Sequence, residues 1–297
     1  MMSSRSGDFQ QELIQCQEII NERLCGYFTE DTGYSTLLES MRYSLLDGGK
    51  RIRAVICLKF CEAVGGEAES ALEAACALEM LHAYSLIHDD LPCMDDDDMR
   101  RGKPSNHIKY GEFTAMLAGD ALQASAFGTL IDSGLPPADV LAMVRIMAEA
   151  AGPHGICGGQ YLDLSGEGRR LDIFELLEIH SKKTAALLSA AARIGVIAGG
   201  GTPAQIEAAD EYAYAVGLAF QLRDDVLDRS ATAEELGKPV GSDIENNKTT
   251  VADLLRPDDC EAMIHDMTAK AIAALDGDFG ETGFLIWLAG MLAIRKK

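Results

Sequence analysis

The sequence predicts an all-α helical bundle, and two observations carry that prediction. Apolar residues recur at helical spacing from end to end, and alternating β-branched runs are absent. No Pro/Ser-rich linker, low-complexity segment or fixed-period repeat divides the 297 residues. Residues 1–297 therefore read as one domain, long enough to bury a substantial core.

Taken in order, residues 9–24 place Leu13, Ile14, Ile19, Ile20 and Leu24 at the spacing of an amphipathic opening helix, and 36–46 form a shorter second one. Gly48-Gly49-Lys50-Arg51-Ile52-Arg53 is a glycine turn leading into a helix over 52–63. Backbone N–H groups and three cations there suit an anion, although a basic helix start is often only solvated. Residues 71–87 are apolar on nearly every face and built from strong helix formers, which predicts a buried central helix. Pro92 must end it, because proline lacks a donor and pushes Leu91 out of helical geometry.

Further helices are expected over 110–130 and 140–151. The glycines of Gly155-Ile-Cys-Gly-Gly-Gln160-Tyr-Leu-Asp163 mark either a kink or a close backbone approach. Asp172 and Glu175 make a capping box for a helix running to the Gly199–Gly201 stop, with Lys182 and Lys183 snorkelling from its alanine- and leucine-rich face. Thr202-Pro203-Ala-Gln205 opens the next helix. Residues 236–249 read as a lid or an ordinary connection, and helices over 258–275 and 282–294 close the chain.

Chemistry concentrates at two helix ends. Asp89 through Arg101 holds six carboxylates and two arginines in thirteen positions. Asp89 and Asp90 sit where the helix dipole disfavours negative charge, so a cation must compensate, and a bend after Pro92 brings Asp95 back beside Asp89. Asp95 to Asp98 alone would pass for a solvated loop. The second cluster, Phe220-Gln221-Leu-Arg-Asp224-Asp225-Val-Leu-Asp228, weighs against that reading. Asp224 and Asp228 share one helix face, and their repulsion again calls for a cation. Clustered hard oxygens suit Mg²⁺, which favours carboxylates together with substrate phosphates. Lys50, Arg51, Arg53, Arg100, Arg101, Lys183 and Lys238 supply separate cations for those phosphates. Metal-assisted departure of a diphosphate is the chemistry this inventory fits.

The net charge of −21 argues against nucleic acid or an anionic membrane as partner. Eight cysteines without CxxC or zinc-like spacing read as reduced, mostly buried thiols. The short polar start and the absence of a long apolar run predict a soluble, cytoplasmic protein.

DDLPCMDDDDMRRGKPSNH resembles the first aspartate-rich motif of the trans-polyprenyl diphosphate synthases, and FQLRDDVLD resembles the second. GGKRIR, the helix bearing His82, GGQYLD, KKT and LGK with its following Asp and Lys-Thr match in order, so the resemblance covers nearly the whole chain. It implies the isoprenoid synthase type of bundle, a homodimer, and Mg²⁺-dependent joining of isopentenyl diphosphate to an allylic diphosphate. Asp89, Asp90 and Asp95 with Asp224, Asp225 and Asp228 would hold the metals. Arg100, Lys183 and Lys238 would contact the allylic diphosphate, while Lys50, Arg53, His82 and Arg101 would hold isopentenyl diphosphate. Thr184 and Gln221 would present oxygen dipoles to an allylic cation, and Ser85 would lie with Tyr84 against substrate. Ala54, Ser105 and Met291 stand where the family commonly has proline, threonine and tyrosine, none of them a ligand position.

Tyr84 lies five residues before Asp89, roughly 7.5 Å deeper along the helix, and its ring would floor a growing chain. In the resembled family an aromatic there, with two extra residues in the first motif, implies a fifteen-carbon farnesyl product. Core packing is the competing role for Tyr84, and LPCMD also occurs in plant-like geranylgeranyl enzymes. A terpene cyclase would need a serine where Asp228 stands, and a non-catalytic regulatory subunit would lack an acidic motif.

Overall fold

The computed structural model describes residues 2–230, 249–276 and 279–295, with side chains from residue 7 and up to residue 227 in the first segment. Helices dominate. α1 (Met2–Cys25), α2 (Ser35–Leu45) and α3 (Ile52–Ala63) lead through a short 3₁₀ turn to α4 (Leu72–Asp89). After the acidic segment comes a small antiparallel hairpin, β1 (Met99–Arg100) with β2 (Lys103–Pro104), the only strands among the described residues. There follow α5 (Asn106–Tyr110), α6 (Glu112–Ile131), α7 (Pro137–Ala151), α8 (Ile156–Gly166), α9 (Ile173–His180), a π-helical turn (Ser181–Ala185) and α10 (Ala186–Ala198). The last four are α11 (Pro203–Ser230), α12 (Val251–Leu254), α13 (Pro257–Ala274) and α14 (Gly283–Ile294).

α4 is the central helix. Ala75, Leu78, Met80 and Leu81 are wholly buried, and α4 packs chiefly against α6 and α3. α10 lies between α3 and α11, and α11 packs in turn on α13. Close approach needs small residues: a Cβ on Gly195 of α10 would come within 2.2 Å of the Cys57 carbonyl oxygen in α3.

The helix expected over 110–130 forms as α6, and Gly111 at φ 85° turns the chain into it from the short α5. Two expectations require correction. The helix opened by Asp172 passes through the π turn before continuing as α10, so Lys183 and Thr184 occupy a local widening of the rod. Nor do three cations of the glycine turn face an anion. Arg51 takes φ 51° and turns inward, donating to Glu79 at 3.1 Å, Asn21 at 3.0 Å and the Leu45 carbonyl at 2.8 Å. Ala54, where proline would leave no donor, directs its N–H to the other Glu79 oxygen at 3.3 Å.

The glycines of 155–163 resolve as a close approach. A Cβ on Gly159 of α8 would lie 2.4 Å from the Lys183 nitrogen. The Leu236–Lys248 stretch, including Lys238, and the side chain of Asp228 lie outside the described residues. All eight cysteines are free thiols, five buried, with Cys25, Cys93 and Cys157 exposed. Among the described residues no helix is long and apolar enough to cross a membrane.

The Arg51–Glu79 pair is buried on both sides, so removing one partner strands a charge in the core. Glu79→Ala should destabilise the protein by about 3–5 kcal/mol in equilibrium urea unfolding. A loss below about 1 kcal/mol would mean that Arg51 finds water instead.

Candidate active site

The acidic end of α4 is assembled by a turn. After Pro92 the chain doubles back, the Asp95 N–H donates to the Asp89 carbonyl at 2.9 Å, and Asp96 takes φ 52°. Burial pushes the Asp89 carboxyl up to about 6; Lys183 opposes the shift and Asp95 adds to it. Asp90, 2% exposed, accepts from Arg100 Nε at 2.9 Å and from its Nη2. Arg100 also reaches Asp97 at 3.3 Å, so this arginine is held by the first cluster's own carboxylates.

Facing that end is the π turn. Lys183 Nζ donates to Asp163 of α8 at 2.7 Å. Burial lowers the Lys183 pKa, but Asp89, Asp163 and Asp95 together outweigh it and the net shift is upward. Lys183 is thus a firmly charged ammonium among three carboxylates rather than a snorkelling surface lysine. The next residue, Thr184, donates its hydroxyl to Gln221 Oε1 of α11 at 3.0 Å, and Gln221 Nε2 donates to Asp225 at 3.3 Å. One helical turn therefore links the two aspartate clusters.

The second cluster is divided. Asp225 is buried, accepting also from the Val251 N–H at 3.0 Å, whereas Asp224 pairs with Arg295. Arg295 lies 3.7 Å over the Phe220 ring. Lys50 belongs to the same neighbourhood, its pKa lowered by burial and by Arg295 and supported by Asp224.

A separate basic focus lies behind the first cluster. Arg53 has a buried Nε without a hydrogen-bond partner, and burial followed by Arg101 lowers its pKa against the pull of Glu79. Arg101 takes φ 51° and donates to the Gly48 carbonyl at 2.7 Å. Its guanidinium occupies the space a Cβ on Gly49 would need, at 2.7 Å, which explains that glycine. His82 is held neutral, its pKa driven well below the ordinary value by burial and then by Arg53, Arg101, Arg100 and Arg51. Guanidinium groups that depress one another while facing a neutral imidazole are a site for an anion.

Tyr84 is buried under the Asp89 end of α4. Its hydroxyl lies 4.0 Å from Cys157 Sγ of α8 and hydrogen-bonds Gln123 of α6, and its ring stands edge-on to His88 at 5.8 Å. Ser85 donates to the His82 carbonyl at 2.9 Å within its own helix. Among the described residues no three His, Cys, Asp or Glu side chains converge as a ready metal site.

Asp163, His180 and Arg295 carry contacts that the sequence did not assign to them. Asp163 stood inside a noted motif, but nothing local indicated that it would face Lys183. His180 precedes the π turn and lies 3.5 Å from Asp225, and Arg295 meets Asp224 from the far end of the chain.

An all-α bundle that sets a buried, raised-pKa carboxylate beside a cluster of buried guanidinium groups suits enzymes that bind and cleave diphosphate esters. Residues 34–272 match the polyprenyl synthetase family. The chain is 46% identical over 261 residues to the chloroplastic geranylgeranyl pyrophosphate synthase of Capsicum annuum, covering 86% of this chain and 71% of that one. It is 45% identical over 249 residues to the farnesyl diphosphate synthase of Geobacillus stearothermophilus, covering 83% and 84%. The crystal structure of the Helicobacter pylori geranyltransferase complexed with magnesium and isoprenyl diphosphate superposes with a TM-score of 0.84 at 29% identity, covering 95% of each chain. The chain belongs to the polyprenyl synthetase family and is a trans-prenyltransferase with the isoprenoid synthase fold.

Asp89 gives a test of the charge strain. A carboxyl whose folded-state pKa is raised stabilises the fold at low pH, and that contribution is lost as pH rises from about 4 through about 6. Without metal, wild type should lose about 2 kcal/mol relative to Asp89→Asn across that window, read from urea midpoints at each pH. Parallel curves for the two proteins would show that the carboxylate is relieved by something else.

Proposed function

We infer that the protein joins isopentenyl diphosphate to dimethylallyl and then geranyl diphosphate, head to tail, to give farnesyl diphosphate and release diphosphate. Tyr84 carries the farnesyl reading. Its side chain is fixed by α6, α8 and His88, so the ring is a rigid surface beneath the acidic end of α4, where a lengthening chain would stop.

In this reading Asp89, Asp90, Asp95, Asp224 and Asp228 are the ligand candidates for Mg²⁺; Asp225, which the resemblance grouped with them, is buried and hydrogen-bonded within the fold. The fit rests on Asp89 and Asp95, two close carboxylates whose repulsion and burial favour a bound cation. The metal would neutralise the leaving diphosphate. Substrate phosphate oxygens would complete coordination that the side chains alone leave open. The magnesium in the Helicobacter pylori geranyltransferase structure supports the same choice.

Lys183, already charged, receives the allylic diphosphate with Arg100 and Lys238. Arg53 and Arg101 bind isopentenyl diphosphate together with Lys50, while neutral His82 contributes a hydrogen bond without adding charge. The carbon–oxygen bond of the allylic diphosphate breaks, and the electron pair leaves with the diphosphate. The isopentenyl double bond attacks the resulting cation beside Thr184 and Gln221, and a proton passes to the departed diphosphate.

A homodimer is supported by α6, which exposes Phe113, Met116 and Leu117 near its start and Ile131 at its end. The free thiols support a reducing compartment such as the cytoplasm. A geranylgeranyl product is the second reading, favoured by the Capsicum annuum relative.

Purified protein given isopentenyl diphosphate, Mg²⁺ and either starter should yield farnesol after dephosphorylation, identified by chromatography and mass. Tyr84→Ala should shift the main product by at least one five-carbon unit. Geranylgeraniol from wild type, or an unchanged spectrum from the variant, would remove Tyr84 from the floor.

A further inference from the structure

We propose that Asp225 serves as the orienting group for the Thr184–Gln221 pair and not as a metal ligand. The proposal rests on the condensation reading and concerns how one side-chain hydroxyl is aimed.

The carboxylate of Asp225 is occupied on both oxygens. Oδ1 accepts from Gln221 Nε2 at 3.3 Å; Oδ2 accepts from the Val251 N–H at 3.0 Å and lies 3.5 Å from His180 Nε2. Only 6% of the residue is exposed. Asp224, its neighbour in sequence, has a side chain 36% exposed and pairs with a mobile-length cation, Arg295. Of the two carboxylates, Asp224 is accessible to an incoming metal, whereas Asp225 is built into the fold between α11, α12 and the end of α9.

Its consequence follows from what each group can donate. A carboxylate only accepts, so Gln221 must turn its NH₂ toward Asp225 and its oxygen the other way. That oxygen lies 3.0 Å from Thr184 Oγ1. An amide oxygen also only accepts, so the Thr184 hydroxyl must spend its proton on Gln221. The remaining lone pairs of Thr184, beside Lys183 and the first acidic cluster, are left for an electron-poor carbon. Reversing the amide would send the hydroxyl proton toward that carbon and present the wrong end of the dipole. Asp225 is the one member of the chain that cannot reverse, so it sets the polarity of the others. It is a positioning residue, acting through Gln221.

Asp225→Asn tests this, because asparagine keeps the shape but donates or accepts equally and makes both amide orientations accessible. Four proteins are compared with wild type: Asp225→Asn, Thr184→Ala, Gln221→Met and the double variant Thr184→Ala/Asp225→Asn. For each, kcat and the KM for both diphosphates and for Mg²⁺ are measured. Thermal stabilisation by Mg²⁺ with inorganic diphosphate reports metal binding independently of turnover.

Asp225→Asn should lower kcat about tenfold or more while leaving both KM for Mg²⁺ and the thermal shift within about twofold of wild type. In the Thr184→Ala background it should cost nothing further, since its action passes through that hydroxyl. Gln221→Met, which leaves the buried carboxylate in place, should reproduce the loss of kcat even if Asp225→Asn folds poorly. A rise of about tenfold in KM for Mg²⁺ with loss of the thermal shift would make Asp225 a ligand and overturn the proposal. Additive losses in the double variant would overturn it as well. Wild-type protein that binds Mg²⁺ and diphosphate without condensing substrates would instead bring down the condensation reading, and this role with it.

Discussion

The structure depends on a conflict within α4. The helix is apolar on every side and is stable only inside a bundle, yet it ends in carboxylates that a bundle interior disfavours. The apolar stem draws α3 and α6 around it. The same burial raises the Asp89 pKa, so packing energy from the stem holds the acidic end in a state that invites a cation. At Asp90 the hydrogen-bonded Arg100 offsets part of the burial, although the pKa is still raised. Asp89 is helped through charge by Lys183 and then Arg100, and burial still pushes it up to about 6, which makes it the receptive member of the pair.

Charge of the other sign is segregated with equal care in a strongly acidic protein. Arg51, Arg53 and Arg101 arise close together, but Glu79 pairs directly with Arg51 and ties it into the core, acting on Arg53 and Arg101 through charge at longer range. Arg53 and Arg101 are left to repel each other, and His82 surrenders its proton rather than join them. Formal net charge therefore says little about what the site binds, because fields from buried groups act locally and are weakly screened. The charge of −21 argues against nucleic acid, whereas a local guanidinium focus can still attract an anion in an acidic protein.

Much of this was legible in the chain. The uniform apolar envelope of residues 71–87, the stop at Pro92 and the capping box at Asp172 are local signals, and each element formed where they indicated. Proline stereochemistry ends α4 and leaves room for the bend that returns Asp95 to the Asp89 carbonyl. The π turn was not legible, since Ser181-Lys-Lys-Thr-Ala carries ordinary helical preferences and the close approach of Gly159 in α8 to the Lys183 backbone is a long-range contact. The fate of Arg51 was hidden for a similar reason: Lys50, Arg51 and Arg53 look alike in sequence, and only the position of Glu79, a full helix away, separates the structural arginine from its neighbours. Asp163, His180 and Arg295 gain their meaning from long-range contacts that no local pattern encodes.

The π turn also joins the two aspartate clusters through one set of contacts although 135 positions separate Asp89 from Asp224. From the widened turn Lys183 reaches Asp163 and lies close enough to Asp89 and Asp95 to feel their charge, while the adjacent Thr184 hydroxyl reaches Gln221 beside the second cluster. Gly159 permits that approach, because any side chain there would collide with the Lys183 backbone. The glycine in α8, the irregular turn and the amide in α11 therefore belong to one continuous set of contacts that runs from Asp163 through Lys183, Thr184 and Gln221 to Asp225.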